Sequence, residues 1–173
     1  KALQTGLAVA LRRGYDAAVF FDGDGQHRGA DIPAAIAAWR ARGDDLLIGS
    51  RFIPGGSGGT MPAERRLGMV FFAVLMSLLT RRRLTDTTSG FKLIGPRVLR
   101  PLARGNFADL HAEAILYLAL RGYRIGEFPI TVAPRQHGTS MYGAADALLY
   151  PLKVLTMLGI VLAGRVLEGE QAC

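Results

Sequence analysis

The amino-acid sequence predicts an α/β fold, in which a mostly parallel sheet is flanked by helices, and three observations support this. A short apolar run at 17–21 (A-A-V-F-F) is typical of a strand buried on both faces, and a second apolar run follows at 46–49. The segment between them begins as a helix would, with Asp31 at the capping position and Pro33 in the first turn. Because strand, helix and strand in this rhythm form a crossover unit, we expect the two strands to run parallel.

The other elements follow from helical periodicity and from glycine stop signals. A helix over 2–13 places Leu3, Leu7 and Leu11 on one face and ends before Gly14. The loop at 54–60 is too rich in glycine to hold a fixed shape unaided. Beyond it the sequence predicts a long apolar helix at about 63–79, a strand entered by 86–94, a helix ending near 121, a strand-like segment at 124–132 and an amphipathic helix from about 144.

Length and composition describe one globular domain. The chain has 173 residues, of which half are hydrophobic and a fifth are charged, and this excludes a disordered or low-complexity tail. The single cysteine, Cys173, excludes a disulfide framework and a cysteine-based metal site. We assign residues 1–143 to a globular domain and 144–173 to an apolar helix and tail.

The charge is strongly basic and is carried mainly by arginine. The net charge is +7, and the 21 basic residues are 18 arginines and three lysines. Since a guanidinium group can donate two hydrogen bonds to phosphate oxygens, this bias suits phosphorylated ligands or anionic headgroups. An arginine-rich composition inherited from a GC-rich genome is the alternative, and charge alone also leaves nucleic acid open.

The most informative stretch is V-F-F-D-G-D-G-Q-H at 19–27. The predicted strand delivers Asp22 and Asp24 at its C-terminal end, where open α/β sheets bind ligands. Two carboxylates one residue apart suit Mg²⁺ or Mn²⁺, with a diphosphate completing the coordination shell. Gln26 adds an oxygen and His27 a nitrogen on the same turn. The alternative is an Asp- and Gly-rich turn that holds no metal.

An apolar strand ending in D-x-D also opens the haloacid-dehalogenase-like phosphatases. Those enzymes have Thr or Val two positions after the second aspartate, where this chain has Gln26. They also need a later lysine and acidic pair, which this sequence does not offer convincingly. The phosphatase alternative is therefore disfavoured.

Five motifs occur in order along the chain. They are Q-T-G-L at 4–7, F-D-G-D-G-Q-H at 21–27, G-S-R-F at 49–52, T-D-T-T-S-G-F-K at 85–92 and P-R-Q-H-G-T-S-M at 134–141. The set closely resembles the family 2 glycosyltransferases, in the branch of the dolichyl- and polyprenyl-phosphate sugar synthases, over nearly the whole chain. This resemblance implies a GT-A fold, a nucleotide-sugar donor, a divalent metal and inversion at the anomeric carbon.

The resemblance also implies roles for single residues. The two carboxylates and the amide of the D-G-D-G-Q turn match the metal and donor-diphosphate site of the family. Arg51 and Arg135 match arginines that hold phosphate in the lipid-phosphate branch, and Ser140 matches a serine that contacts phosphate. Asp86 matches a strand-end motif that faces the sugar and the acceptor. Glu113, on the H-A-E helix, is a candidate general base or acceptor-orienting group.

Each of these roles has a simpler alternative. Arg51 could pair with a neighbouring carboxylate, Asp86 could cap a turn, Arg135 could be solvated in its loop, and Glu113 could be an exposed helical residue. If the acceptor is a phosphate, no general base is required, because the attacking oxygen is already ionised at neutral pH.

The sequence departs from the family pattern in two places. Family members begin with about two further βα units that bind the nucleotide base, and Lys1 resembles the lysine of a G-K-G turn whose preceding half is lost. We therefore expect an N-terminally truncated fragment that is inactive by itself. The lipid-phosphate branch also has a later arginine after the glycine loop, where this chain has Met69 and Val70. A polyprenyl phosphate and a nascent glycan both remain candidate acceptors.

Two apolar stretches bear on the membrane. The stretch 67–80 is expected either to be buried or to lie in a membrane interface, and 147–164, with Lys153 as its only charge, is expected to lie in the interface. The leading interpretation is a metal-dependent glycosyltransferase bound peripherally to the cytoplasmic face of the cell membrane. The competing class is a non-catalytic basic module that binds anionic membrane or nucleic acid. The acidic D-x-D pair speaks against this class, because it repels phosphate unless a metal is present, and no nucleic-acid partner is expected.

Overall fold

The computed structural model describes residues 2–58, 63–104, 110–133, 152 and 154–164 of the chain. The chain divides into two compact units, Lys1–Gly138 and Thr139–Cys173. The helices of the first unit are α1 (Ala2–Arg12), α2 (Asp31–Arg42), α3 (Ala63–Thr80), α4 (Pro96–Arg104) and α5 (Ala112–Leu120). Its strands are β1 (Ala18–Phe20), β2 (Leu46–Ser50), β3 (Lys92–Ile94) and β4 (Ile125–Pro129). In the second unit, residues 154–164 are helical.

The predicted α/β class is confirmed, in the form of a four-stranded sheet with helices around it, as expected of a GT-A fold. The strand order is β1-β3-β2-β4. Strand β3 pairs antiparallel with both β1 and β2, whereas β2 and β4 pair parallel. Strands β1, β2 and β4 therefore point the same way, as predicted for the two strands of the crossover unit, although two of the three pairings between neighbours are antiparallel. The cause is the insertion of β3 between the two strands of the predicted crossover unit.

Strand β2 forms the centre of the hydrophobic core, and β1 lies at one end of the described sheet. All five residues of β2 are buried, as predicted for 46–49, and Leu47, Ile48 and Leu93 have no exposed surface. The three residues of β1 are only half-buried, so the prediction of a strand buried on both faces is wrong for β1. Since β1 has a neighbouring strand on one side only, its second edge lacks the cover that β2 has.

Helix boundaries agree closely with the sequence, with two corrections. Helix α2 begins at Asp31 as predicted, but the capping residue is Ala30, and no side chain caps that end. Helix α4 was not predicted, because Pro101 lies inside it and such a proline usually breaks a helical pattern. Its apolar residues Val98, Leu99 and Leu102 are nevertheless buried, and this packing holds the short helix in place.

Helix α3 is apolar on both faces, and only one of them is covered. Its inner face is buried through Met69, Phe72, Ala73 and Met76. Its outer face exposes Leu67, Val70, Phe71, Val74 and Leu78, of which Leu67 and Leu78 are more than two-thirds exposed. Burial, one of the two alternatives for 67–80, therefore holds for one side of the helix only. None of the helices in the described part of the chain is long and apolar enough to cross a membrane.

Candidate functional site

The candidate site lies at one edge of the sheet, because the strand directions bring four chain segments there. Strands β1 and β2 end at this edge, and β3, which runs the opposite way, begins there, with Phe20 and Ile48 both paired to Lys92. Strand β4 is parallel to β2 and also ends there. The segments that follow β1, β2 and β4, and the segment that precedes β3, therefore meet. The described residues of these segments carry three of the five sequence motifs, at 21–27, 49–52 and 85–92.

The D-G-D-G-Q-H turn is held in place by its own side chains and by the segment after β4. The backbone N–H of Gln26 donates to Oδ1 of Asp24 at 3.1 Å, which folds the turn on itself. Gln26 and Ala133 form two hydrogen bonds with each other. The side-chain Nε2 of Gln26 donates to the carbonyl of Ala133 at 3.1 Å, and the backbone N–H of Ala133 donates to the backbone carbonyl of Gln26 at 2.9 Å. His27 forms an antiparallel bridge with Val132. The turn is thus anchored while Asp22 stays exposed.

Asp22 connects this turn to the motif before β3. Its carboxylate fills the space that a Cβ atom on Gly90 would occupy. Because glycine has no side chain, the carboxylate can rest directly against the backbone of the T-D-T-T-S-G-F-K motif. This contact joins Asp22 and Gly90, which are 68 positions apart in the sequence and belong to different motifs. It makes them parts of one site.

Arg51 and Asp86 form a bidentate ion pair beside that contact. Nε of Arg51 donates to Oδ2 of Asp86 and Nη2 donates to Oδ1, both at 2.7 Å, and the backbone N–H of Arg51 adds a third bond to Oδ2 at 3.1 Å. Nη2 also donates to the hydroxyl of Thr88 at 3.1 Å. The Asp86 side chain has no exposed surface, and that of Arg51 is 11% exposed. Arg51 therefore does pair with a neighbouring carboxylate, as the simpler alternative for this residue proposed.

Asp86 is held from its backbone side by Glu127 on β4. Oε1 of Glu127 accepts hydrogen bonds from the backbone N–H groups of Thr85 at 2.7 Å and Asp86 at 2.9 Å. Oε2 accepts from the hydroxyl of Thr85 at 2.9 Å. Asp86 is therefore not a simple turn cap. It is a buried carboxylate held from two sides by side chains of β4 and of the segment after β2.

A fully buried lysine lies under the site. Lys92, the last residue of the T-D-T-T-S-G-F-K motif, has no exposed surface, and its ammonium group donates to the carbonyl of Ser89. Burial lowers its pKa to about 8, although the nearby carboxylates of Asp86, Asp22 and Glu113 act in the opposite direction. Glu113 lies in the first turn of α5 and is half-buried, so it is not a fully exposed helical residue. Its negative charge acts to raise the pKa of Lys92.

His27 and Ser89 serve the local structure of the site. The ring of His27 packs against Phe21 and Phe91, with centroids 6.4 and 6.0 Å apart, and burial lowers its pKa despite the charges of the two aspartates in its turn. The hydroxyl of Ser89 accepts the backbone N–H of Phe91 at 3.1 Å, which is ordinary turn chemistry.

The donor set fits a hard divalent cation that shares its shell with a ligand. Among the residues that the structure describes, no group of three His, Cys, Asp or Glu side chains is arranged to hold a metal. The turn offers the carboxylates of Asp22 and Asp24, and Oε1 of Gln26 is the polar atom of that amide not used in the bond to Ala133. Such an oxygen set is typical of Mg²⁺ or Mn²⁺ sites that need phosphate oxygens to complete them. Metal binding stays a prediction.

The structure brings together Asp22, Asp24, Gln26, Arg51 and Asp86 at one edge of the sheet, with Glu113 close to the lysine beneath them. Arg135 and Ser140, the two other predicted phosphate contacts, lie outside the described residues. Sequence reasoning missed Lys92 and Glu127 as site residues. The available signal was a charged residue inside an otherwise apolar strand, in K-L-I and in I-G-E-F-P.

Curated proteins with similar sequences share one type of name, although no protein-family model matches the chain. Undecaprenyl-phosphate mannosyltransferase of Micrococcus luteus is 32% identical over 143 residues, which cover 78% of this chain and 56% of that protein. Polyprenol monophosphomannose synthase of Mycolicibacterium smegmatis is 31% identical, over 84% of this chain and 56% of that protein. UDP-N-acetylglucosamine–dolichyl-phosphate N-acetylglucosaminyltransferase of Methanococcus voltae is 28% identical, over 95% of this chain and 65% of that protein. The chain thus spans somewhat more than half the length of these relatives.

Proposed function

We propose that this chain, which resembles the polyprenyl- and dolichyl-phosphate branch of the family 2 glycosyltransferases, carries the transfer site of an enzyme that moves a sugar from a nucleotide-sugar donor to a polyprenyl phosphate. The resemblance predicted from five ordered motifs is confirmed by the relatives, whose names all describe sugar transfer involving a polyprenol or dolichol phosphate. A polyprenyl phosphate is therefore favoured over a nascent glycan as the acceptor.

The contact between Asp22 and Gly90 is the observation that carries this proposal. The Asp22 carboxylate rests against the backbone of the motif that holds Asp86 and Lys92, which supports our assignment of donor and acceptor binding to one edge of the sheet. A basic module that binds anionic surfaces without catalysis has no use for two carboxylates at such an edge. The acidic turn supports a phosphate-containing ligand only together with a divalent cation.

In the proposed reaction, an ionised oxygen of the acceptor phosphate attacks the anomeric carbon of the donor sugar. A carbon–oxygen bond forms there, and the bond from that carbon to the donor's diphosphate breaks on the opposite face, so that configuration is inverted. A divalent cation held by Asp22, Asp24 and Gln26 would supply charge neutralisation for the leaving nucleoside diphosphate. Since the nucleophile is already ionised, no side chain has to remove a proton.

Arg51 and Asp86 act as a charged pair at the place where the acceptor phosphate would approach. Asp86 fixes the guanidinium plane through two hydrogen bonds of 2.7 Å, so that the arginine is oriented before any ligand binds. Preorientation of this kind lowers the cost of binding a phosphate, because fewer side-chain rotamers are lost. In this proposal Asp86 orients Arg51, and Arg51 contacts the phosphate.

The reaction is tested with the complete protein, a panel of nucleotide sugars and a short-chain polyprenyl phosphate, with Mg²⁺ or Mn²⁺ or with EDTA. We expect mass spectrometry to detect a glycosyl polyprenyl phosphate in the presence of metal and none in EDTA. The matched control is the corresponding polyprenol without phosphate, which lacks the proposed nucleophile and should yield no product. Equal transfer to the polyprenol would contradict the proposed acceptor chemistry.

The outer face of α3 supports a position at the surface of the membrane, and in our proposal this is the cytoplasmic surface. Five large apolar side chains are exposed along one stripe of this helix, from Leu67 to Leu78. Arg81, Arg82 and Arg83 follow directly and are exposed or half-exposed, so that the apolar stripe ends in positive charge. An apolar helical face flanked by arginines is typical of interfacial binding to anionic lipid. In the second unit, Leu152, Leu155 and Ile160 are exposed as well.

Membrane binding is tested by co-sedimentation of the complete protein with vesicles that contain phosphatidylglycerol. We expect Val74→Glu combined with Leu78→Glu to lower the bound fraction several-fold, because two charges would enter the lipid-facing stripe. Tyr15→Glu is the matched control, since Tyr15 is 55% exposed and lies outside α3. Unchanged sedimentation of the α3 variant would count against this position.

A further inference from the structure

Glu127 receives three hydrogen bonds from a loop that its own strand does not contact in the sheet. It lies on β4 opposite Ile48 of β2, while Thr85 and Asp86 belong to the loop before β3. Its donors are the backbone N–H groups of Thr85 and Asp86 and the hydroxyl of Thr85, all within 2.9 Å. A carboxylate has only acceptor atoms, and here Oε1 accepts from the two backbone N–H groups and Oε2 from the Thr85 hydroxyl.

The hydrogen-bond network around Glu127 extends through Thr85 to Ser50 and Phe52, the residues before and after Arg51. The hydroxyl oxygens of Ser50 and Thr85 are 2.7 Å apart, and the backbone N–H of Phe52 donates to the hydroxyl of Ser50 at 3.2 Å. Because Thr85 uses its only hydroxyl proton toward Glu127, Ser50 must be the donor in the bond between the two hydroxyls. The chain of donors therefore runs in one direction, from Phe52 through Ser50 and Thr85 to Glu127.

The direction of this chain depends on the negative charge at its end. A carboxylate accepts from every side, whereas a glutamine in its place has one oxygen and one NH₂ group. If the oxygen of the glutamine faced the two backbone N–H groups, its NH₂ group would face Thr85, whose hydroxyl proton would lose its acceptor. Thr85 could then donate to Ser50, which would reverse the chain and leave the Ser50 proton without an acceptor. In either arrangement one hydroxyl proton is left without a partner in this network.

From this geometry we infer that Glu127 is a positioning residue of the transfer site, which holds the Thr85–Asp86 backbone and the Ser50–Phe52 segment so that Asp86 and Arg51 meet in their bidentate geometry. The inference rests on the proposed function for its catalytic consequence. Glu127 itself touches no reacting atom in this role and acts through the Arg51–Asp86 pair. One carboxylate on β4 thereby holds two other segments in place, although these segments are about 35 residues apart in the sequence.

The first test is a double-mutant cycle in the complete protein. We expect Glu127→Ala to lower kcat tenfold or more, because the Thr85–Asp86 backbone loses the acceptor that fixes the Arg51–Asp86 geometry. The KM for the donor and the affinity for Mn²⁺ should stay unchanged, because the D-G-D-G-Q turn is not part of this network. Adding Glu127→Ala to Asp86→Ala should cause no further loss. Multiplying losses would overturn the inference, since Glu127 would then act independently of Asp86.

Conservative and control variants separate positioning from general stability. Glu127→Gln keeps the size of the side chain but removes the acceptor of the Thr85 hydroxyl proton, so kcat should fall while the melting temperature falls less than in Glu127→Ala. Asp45→Asn is the matched control: Asp45 is a buried carboxylate that accepts a backbone N–H at 2.8 Å, but it lies before β2 at the opposite edge. This variant should lower the melting temperature and leave kcat unchanged. Full activity of Glu127→Gln would contradict the inferred polarity.

Hydrogen exchange distinguishes failure of this inference from failure of the proposed function. In the wild type, we expect slow exchange of the backbone amides of Thr85, Asp86 and Phe52, and at least tenfold faster exchange in Glu127→Ala. If the protein transfers no sugar but the exchange rates change as expected, the proposed function fails and the network stands. Unchanged exchange rates in Glu127→Ala would overturn the network whatever the activity.

Discussion

The carboxylate of Asp22 lies where a side chain on Gly90 would begin, and no other residue type at position 90 leaves this space open. The contact explains why the D-G-D-G-Q turn and the T-D-T-T-S-G-F-K motif work as one site although they are far apart in the sequence. It also gives the glycine a role that is independent of backbone conformation, because Gly90 is not among the glycines with positive φ in the described chain.

Replacement of Gly90 by alanine should displace the Asp22 carboxylate and weaken metal binding. The new methyl group meets the mobile end of an exposed side chain, so the fold can adapt by rotating Asp22 away. We expect isothermal titration of Gly90→Ala to show at least tenfold weaker Mn²⁺ binding, with a melting temperature close to that of the wild type. Gly68→Ala, in α3 with open space around it, is the control and should bind Mn²⁺ normally. Unchanged affinity in Gly90→Ala would show that Asp22 is not a ligand.

Removal of either carboxylate of the turn should abolish transfer without unfolding the protein. Asp22 is exposed and Asp24 half-buried at the end of a strand, so neither supports the hydrophobic core. We expect Asp22→Ala and Asp24→Ala to lose transfer while their circular dichroism spectra stay unchanged. Asp16→Ala, an exposed aspartate before β1, should keep full activity. Full activity of the double alanine variant in EDTA would refute the metal assignment.

Loss of Arg51 should destabilise the protein, because it leaves the buried carboxylate of Asp86 without its partner. Removing one member of a buried ion pair costs about 3–5 kcal/mol. We expect urea unfolding of Arg51→Ala to show a loss of this size, with partial recovery in the double variant Arg51→Ala/Asp86→Asn. Arg97→Ala is the comparison: Arg97 pairs with Asp45 but is 68% exposed, so the loss should be about 1 kcal/mol or less. Equal losses in the two arginine variants would contradict this account.

Lys92 should make the protein more stable as the pH rises above 8. Its pKa is about 8 in the folded protein and 10.5 for an unperturbed lysine, so the unfolded state binds the proton more tightly. Below pH 8 Lys92 is protonated in both the folded and the unfolded protein, so the folded state bears the full cost of burying its charge. Between pH 8 and 10.5 that cost is relieved, by up to about 3 kcal/mol. Unfolding free energies of the wild type, measured against Lys92→Met at pH 7, 8.5 and 10, should rise accordingly. A constant difference between the two proteins would contradict the lowered pKa.

Local patterns in the sequence were sufficient for the elements whose residues decide their own conformation. The sequence predicted the buried strand β2, the start of α2 at Asp31 and the extent of α3. This was possible because apolar runs, helix-start signals and helical periodicity are properties of residues close together in the sequence. The place of β3 was not readable. Whether a strand inserts between two others depends on contacts distant in the sequence, so the antiparallel pairing of β3 with β1 and β2 could not be predicted.

The same division holds for the candidate site. The sequence by itself determined which chemistry is present: a pair of carboxylates after β1, Arg51 after β2, Asp86 before β3, and a set of motifs that resembles one family. Only the tertiary structure decided how these groups are used. It paired Arg51 with Asp86, placed Asp22 against Gly90, buried Lys92 beneath the carboxylates and brought Glu127 from β4 to hold the Asp86 loop. The physical reason is that charge pairing and burial depend on distance in space, which residue order does not specify until the sheet is formed.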